Sequence, residues 1–420
     1  MTFVSNQENR VFFFLDFMPQ KQGSGASLRF YSNVRAYLDL GYKPEVIQVA
    51  SHPDHSSPNE DLRGAKWTYV IEPPEPASFM GRLMFRAGVT TQAAVSYYRE
   101  NYRLTYREVQ KRIKQEPGAL FHLEGEQMAS VLPWLPKTTR TIWSLHDLPS
   151  SVLEATTRIA CEAQSRNPSV TELRELRFAR RFERKMANHA SLVLCVADYD
   201  CERLNEWGCR AVEYLPLSMP DEPEQDGTRT WAPNGRLRLL HLGSISHLPS
   251  YRSLEFLFEK VWPSLPPALL DKISLDVVGT VNSENERAQK ILGLAERFTN
   301  VVFHGFVPDV VPYYRNADLQ IVASTDATGL RTRTIESFAL GLPVLSTDVG
   351  ARGIAGLKPG EHLLIANDAE DFVKQLSALL NSPERLHTLS ISAKDFYRKN
   401  QSRTVVASTL ARYLKKYFGM

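Results

Sequence analysis

LQIVASTDATGLRTRTIESFALGLPVLSTDV (319–349) decides how this chain folds. A short apolar run, LQIVAST, leads into a stretch with helical spacing from about Arg331 to Leu340, and PVLSTDV follows as a second short apolar run. Strand, helix and strand in that order make the unit of a parallel sheet with crossover helices. Outward from it the alternation repeats. RLRLLHLGS (236–244), SLDVVGT (274–280) and VVFHGFV (301–307) read as strands, with helices through SLEFLFEKVW and ERAQKILGLAERF. Upstream, VFFFLDF (11–17) is followed by the loop PQKQGSG and a helix, ASLRFYSNVRAYLDLG, that stops at Gly41. EVIQVA (45–50), ALFHLEG (119–125), TIWSLHD (141–147) and, last in this half, SLVLCVA (191–197) are further strands. The reading is α/β twice over: two facing Rossmann-like doubly wound domains with a cleft between them. SMPDEPEQDGTRTWAPNG has linker composition, so the expected division is a domain over 1–216, a linker at 217–236, a second domain over 237–395 and a closing helix at 396–420.

Bulk properties agree and exclude some classes. A length of 420 residues exceeds what one core organises. Hydrophobic residues at 43% and charged residues at 23% are ordinary globular usage, which argues against disorder. A net charge of +3 is too small to argue for nucleic acid as a partner. Cys161, Cys195, Cys201 and Cys209 form no Cys-x-x-Cys pair, so no zinc site is expected and a reduced, cytoplasmic setting fits. No apolar run reaches spanning length, and TFVSNQENR before VFFFLDF predicts no leader, so any membrane contact is expected to be peripheral.

In doubly wound sheets ligands sit beyond the carboxyl ends of the strands, so the loops there hold the candidates. After the first strand, Gly23-Ser24-Gly25 lets the backbone approach a ligand and offers the next helix's amides to an anion, or serves packing alone; Arg29 lies one turn further on. His146-Asp147 ends TIWSLHD, where it suits proton transfer or the holding of a sugar hydroxyl. The bland alternative is a satisfied histidine and an aspartate capping the next helix. Glu124 at the end of ALFHLEG carries the same two readings. In the third loop Arg331 and Arg333 sit near a helix start with Glu336 inside the helix. Cations at a helix N-terminus oppose its dipole, and an anion such as a diphosphate would justify them. Glu336 would then accept from ribose hydroxyls; the alternative is a helix with solvated arginines and one buried, paired glutamate.

Gly243-Ser244-Ile245 after a strand, HGFVPDVVPYYRNADLQIVAS, Glu336 followed by SFALGLPVLSTDVGARGI, and PGEHLLIANDAEDF together resemble the C-terminal domain of family-four glycosyltransferases. The spacing holds from about Leu237 onward, and the N-terminal half matches more loosely through its glycine loop and His146-Asp147. GSISHLPSYRSLEFLFEKVWP is similar to a subgroup that works on surface polysaccharides. The resemblance implies the glycosyltransferase-B fold and metal-independent, usually retaining sugar transfer, with no cofactor beyond a nucleotide-sugar co-substrate. It implies a nucleotide-diphosphate-sugar donor and a glycan or lipid-linked acceptor. By position it assigns Glu336 to the donor ribose, Gly243 and Ser244 to the diphosphate, Phe306 and Val307 to the base, and His146 to the reaction centre. A family glutamate falls on Thr328, beside Gly329, in the donor-binding set. Members that carry an Arg at Ser244 and a Lys soon after have charge that Arg331 and Arg333 would supply here.

Two basic amphipathic stretches remain, YYRENYRLTYREVQKRIK (97–114) and RELRFARRFERKM (174–186). Each suits an anionic membrane surface or is a solvated helix face. Rivals to transfer are a nucleotide-sugar epimerase of the same fold and a non-catalytic nucleotide-sugar-binding subunit.

Overall fold

The computed structural model describes residues 10–21, 24–50, 58–71, 102–221, 229–326 and 329–420. The chain divides into two compact units. One holds the residues up to Ser218 together with Arg403–Met420, and the other holds Met219–Ser402.

The first unit is built on seven parallel strands: β1 (Val11–Leu15), β2 (Glu45–Ala50), β3 (Lys66–Ile71), β4 (Leu120–Glu124), β5 (Arg140–Leu145), β6 (Leu192–Cys195) and β7 (Val212–Tyr214). Their spatial order is β3-β2-β1-β4-β5-β6-β7. Every residue of β1 is buried because both faces of the sheet are covered, which is why its sequence is a continuous apolar run. Phe12 and Phe14 join Phe121, Leu123 and Trp143 on one face, under Leu104, Val109, Phe182 and Met186. Phe13 and Leu15 join Leu120 and Ile142 on the other. Each such side chain contributes roughly 1.5–3 kcal/mol by leaving water. The opposite face is covered by the helix Gly25–Asp39, and against it lies the last helix of the chain, Arg403–Phe418, through Val406, Leu410 and Leu414.

The second unit has six parallel strands: β8 (Leu237–Leu242), β9 (Ile273–Val278), β10 (Val301–Gly305), β11 (Leu319–Val322), β12 (Val344–Ser346) and β13 (Leu364–Ile365), in the order β10-β9-β8-β11-β12-β13. Leu239, Leu275 and Ile321 pack with Leu254, Phe258, Ile291 and Phe372 on one face. Leu240, Leu242 and Val278 pack with Tyr314 and Leu342 on the other.

Four expectations are corrected. SLVLCVA is not the last strand of its half: β7 follows it, and β3 lies at the opposite edge. Both are edge strands, partly exposed, and so lack the continuous apolar run that marked the others. β13 was also unanticipated, being two residues long. The stretch 217–236 is not a free linker over its described part. Ser218 N donates to Ser32 Oγ of the first unit at 3.1 Å, while Ala232 N donates to Asp318 Oδ1 at 3.1 Å and Arg229 donates to the Tyr314 carbonyl at 2.7 Å. Finally, residues 396–420 are not one helix: Glu384–Asn400 ends before Arg403–Phe418 begins.

Candidate active site

Connections reverse direction beside β1 in one unit and beside β8 in the other, so the switch points lie between β1 and β4 and between β8 and β11. Crevices beyond the carboxyl ends of the strands at such points are where ligands bind.

In the second unit the β8 switch is shaped by backbone. Gly243 has φ +143°, and a Cβ there would stand 2.2 Å from Ser250 Oγ. Gly279, at the end of β9 with φ +154°, would put a Cβ 2.1 Å from the Gly243 carbonyl oxygen. Only glycine fits either position. The loop therefore lies against the neighbouring strand end, with Gly243 N donating to Val278 O at 2.9 Å and Ser244 Oγ donating to Thr280 O at 3.3 Å. His247 then opens the helix Leu248–Phe256 with no side-chain cap, leaving amides of its first turn for a ligand. Burial lowers the His247 pKa, and Arg331 and Arg287 nearby lower it further, so three basic groups gather at this loop.

Across the switch, beyond β11, Arg331 precedes the helix Thr332–Ala339. Its Nε donates to Ser324 Oγ at 2.9 Å and its guanidinium also reaches the Asp326 carbonyl at 2.9 Å, while Arg252 bonds the Asp326 carboxylate at 3.2 Å. Arg333 Nη1 donates to Glu336 Oε2 at 2.7 Å, and the buried Tyr314 hydroxyl donates to the same oxygen at 2.6 Å. Both arginines are thus engaged within the unit, and Glu336 is buried and paired through one oxygen. Burial disfavours the Arg333 charge, yet the Glu336 carboxylate more than offsets this and raises the Arg333 pKa. Phe306 and Val307 lie beyond β10, two strands from β8: Phe306 is 75% exposed, and Val307 packs against the Tyr314 cluster. Gly329 takes φ +73°, in the left-handed region. Thr328 lies outside the described residues.

In the first unit a polar stripe runs beneath the Gly25–Asp39 helix. Side chains alternate along a strand, so His122 and Glu124 of β4, and Ser144 and His146 of and after β5, share the face of Leu120 and Ile142. Asn33 Nδ2 donates to Glu124 Oε1 and, at 3.0 Å, to Ser144 Oγ. His122 Nε2 is 3.2 Å from Glu124 Oε1, its Nδ1 is 2.9 Å from the Tyr37 hydroxyl, and His146 Nε2 is 3.9 Å from Glu124 Oε2. His146 packs against Phe30, with ring centroids 5.1 Å apart, and its side chain keeps 20% exposure. Burial drives its pKa down to about 4, against the pull of Glu124. Glu124 is itself desolvated, but His122, His146 and Arg29 hold its pKa below the usual range.

Arg29 is buried and donates to the carbonyls of Leu215 and Pro216, at 2.8 and 3.2 Å. Its charge thus acts on Glu124 and His146 from within the fold. Gly25 is the first residue of its helix, with Ser24 as the cap accepting from Ser27 N; Gly23 lies outside the described residues. Neither capping alternative holds, since Glu124 makes no side-chain cap and the helix after Asp147 begins from Leu148 without one.

Several residues were missed. Asn33, Tyr37 and His122 surround Glu124; their signal was His122 two residues before Glu124 inside an otherwise apolar strand. Asp16 follows β1, where burial and then the charge of Glu126 raise its pKa to about 7. Tyr314 was missed because VPYYRN reads as an ordinary amphipathic turn. Among the described residues no group of three or more His, Cys, Asp or Glu side chains is placed to hold a metal ion. The four cysteines are buried and form no disulfide.

Residues 236–382 match the family described as Glycosyl transferases group 1. The chain is 30% identical over 143 residues to an uncharacterized glycosyltransferase of Haemophilus influenzae, covering 34% of this chain and 39% of that one. It is 31% identical over 130 residues to the lipopolysaccharide core biosynthesis mannosyltransferase LpsB of Rhizobium meliloti, covering 29% and 36%. These curated relatives are thus matched over less than two-fifths of their length. In structure it is similar over nearly its whole length to sucrose-phosphate synthase from Thermosynechococcus elongatus (TM-score 0.68, 15% identity, 98% and 99% of the two chains). It is also similar to HepE from Anabaena in complex with UDP-glucose (TM-score 0.62, 14% identity, 97% and 99%). The architecture is the glycosyltransferase-B fold, with two Rossmann-like α/β domains.

Proposed function

We propose that this protein is a glycosyltransferase whose second unit binds a nucleotide-diphosphate-sugar and whose first unit binds the acceptor. The observation that carries the reading is the β8 loop. Two glycines that admit no Cβ bring its backbone and an uncapped helix start together at the switch point, with His247, Arg331 and Arg287 around it. Such a loop accepts phosphate oxygens by backbone donors. Departure of a nucleoside diphosphate builds negative charge on those oxygens, which preorganised amides and cations stabilise without a metal. Retention of anomeric configuration belongs to the same reading, as does an acceptor that is a glycan or lipid-linked sugar of a surface polysaccharide; the likeness to a lipopolysaccharide core mannosyltransferase supports the acceptor class alone. A peripheral position at an anionic membrane is the accompanying proposal for localisation.

The test is a thermal-shift panel of UDP, GDP, ADP and their sugars, followed by transfer assays in the presence of EDTA. A nucleoside diphosphate that raises the melting temperature, with transfer persisting in EDTA, is the expected outcome. Donor turnover without any acceptor would favour the epimerase, and binding without chemistry would favour the binding subunit. No response to any nucleotide would sink the reading.

A further inference from the structure

We propose that Tyr314 is a positioning residue for donor recognition: with Arg333 it holds one oxygen of the Glu336 carboxylate, so that the other is presented to the hydroxyls of a nucleoside ribose. The inference rests on the donor reading above.

Both protein bonds to the Glu336 side chain fall on Oε2, from Tyr314 at 2.6 Å and Arg333 at 2.7 Å. Among the described residues Oε1 accepts none, and the side chain keeps 11% exposure. The three groups come from two helices that flank β11: Tyr314 from Val311–Asn316, and Arg333 and Glu336 from Thr332–Ala339. Tyr314 is 0% exposed, and its phenol stays protonated because burial and the adjacent Glu336 carboxylate push its pKa well up. It is therefore a permanent donor. A phenol and a guanidinium converging on one oxygen fix the carboxylate's rotation and use up that oxygen's lone pairs. Oε1 keeps both of its own, which matches a pair of neighbouring hydroxyls.

The geometry also says what loss of the phenol does. A guanidinium prefers to bind both oxygens of a carboxylate in a fork, and only the competing phenol on Oε2 holds Arg333 to one. Tyr314→Phe removes that competitor with almost no change in volume. Arg333 is then free to take both oxygens, which withdraws Oε1 from the ligand.

Calorimetry with UDP and 2′-deoxy-UDP tests this, or with the GDP or ADP pair if the thermal-shift panel selects another base. The wild type should bind the ribonucleotide about tenfold more tightly than the deoxy form, the range of one hydrogen bond to a charged group. Tyr314→Phe should bring that ratio close to one, weakening the ribonucleotide more than the deoxy form, which has only its 3′-hydroxyl to lose, and Glu336→Gln should do the same. Both ligands are titrated into one preparation, so partial misfolding lowers the stoichiometry of both and leaves the ratio intact. A Tyr314→Phe protein that keeps the wild-type ratio overturns this inference alone. A wild type that binds no nucleoside diphosphate overturns the donor reading and this inference with it.

Discussion

His146 stands where chemistry is expected, yet its surroundings assign it a narrower task than proton transfer. Burial against Phe30 brings its pKa to about 4, so at neutral pH the ring is neutral and stays so over several units of acidification. A group so far below the working pH is a weak base but a sound hydrogen-bond acceptor for a sugar hydroxyl. Its Nε2 lies 3.9 Å from Glu124, beyond hydrogen-bond reach, and finds no hydrogen-bond partner among the described residues. His146→Ala should keep the melting temperature and nucleotide affinity near wild type and lower transfer by about 10²-fold. The wild-type pH profile of transfer should show no inflection near pH 6.5 that this variant abolishes; one that disappears in His146→Ala would return the residue to the role of a general base. Tyr314 illustrates the complementary lesson. Its proposed function lies in the orientation of another side chain.

Elements carry the second layer of the argument. Strand loops at the two switch points hold nearly every candidate, because parallel strands align their carboxyl ends and connections reverse there. One helix does something else. Val170–Ala187 is capped by Ser169 and Glu172 in a reciprocal box, and it buries Ala179, Phe182 and Met186 in the sheet layer. Its opposite stripe, Arg174, Arg177, Arg181, Arg184 and Lys185, is exposed at helical spacing, with Val170 and Leu173 exposed at its start. Each cation near an anionic leaflet contributes about 1 kcal/mol, so this stripe is the face on which the proposed peripheral position is tested. The protein should float with vesicles of phosphatidylglycerol and not of phosphatidylcholine. Replacing Arg174, Arg177 and Arg181 together by Gln should abolish flotation without changing the circular dichroism. Undiminished flotation of that variant would show the face to be merely solvated. The companion stretch 97–114 is described only from Tyr102, so Tyr98 and Arg99 lie outside the described residues; Arg103, Arg107, Lys111 and Lys114 are exposed on it.

At the scale of the molecule, each unit closes its own core, and the first does so with residues from both ends of the chain. Leu410 is 0% exposed and packs among Phe30, Val34 and Tyr37, while Arg403 pairs with Asp39. Leu410→Ala should therefore cost about 2–5 kcal/mol. The loss should appear in hydrogen exchange of 25–39 and 192–195 and spare 237–242, a result that exchange confined to the second unit would contradict. The sequence by itself determined the α/β class, most buried strands and the loops worth searching, because a strand covered on both faces must be a continuous apolar run and ligands gather at its carboxyl end. It also marked His146, Glu124, Gly243 and Glu336 by position. What only the tertiary structure decided was partnership. Edge strands β3 and β7 have no such run to show. The return of Arg403–Phe418 to the first unit, the anchoring of Arg29 on the carbonyls of Leu215 and Pro216, and the grip of Tyr314 on Glu336 join residues separated by 22 to 186 positions or more. Periodicity reports which side of an element faces a core; it carries no record of which distant side chain lies there.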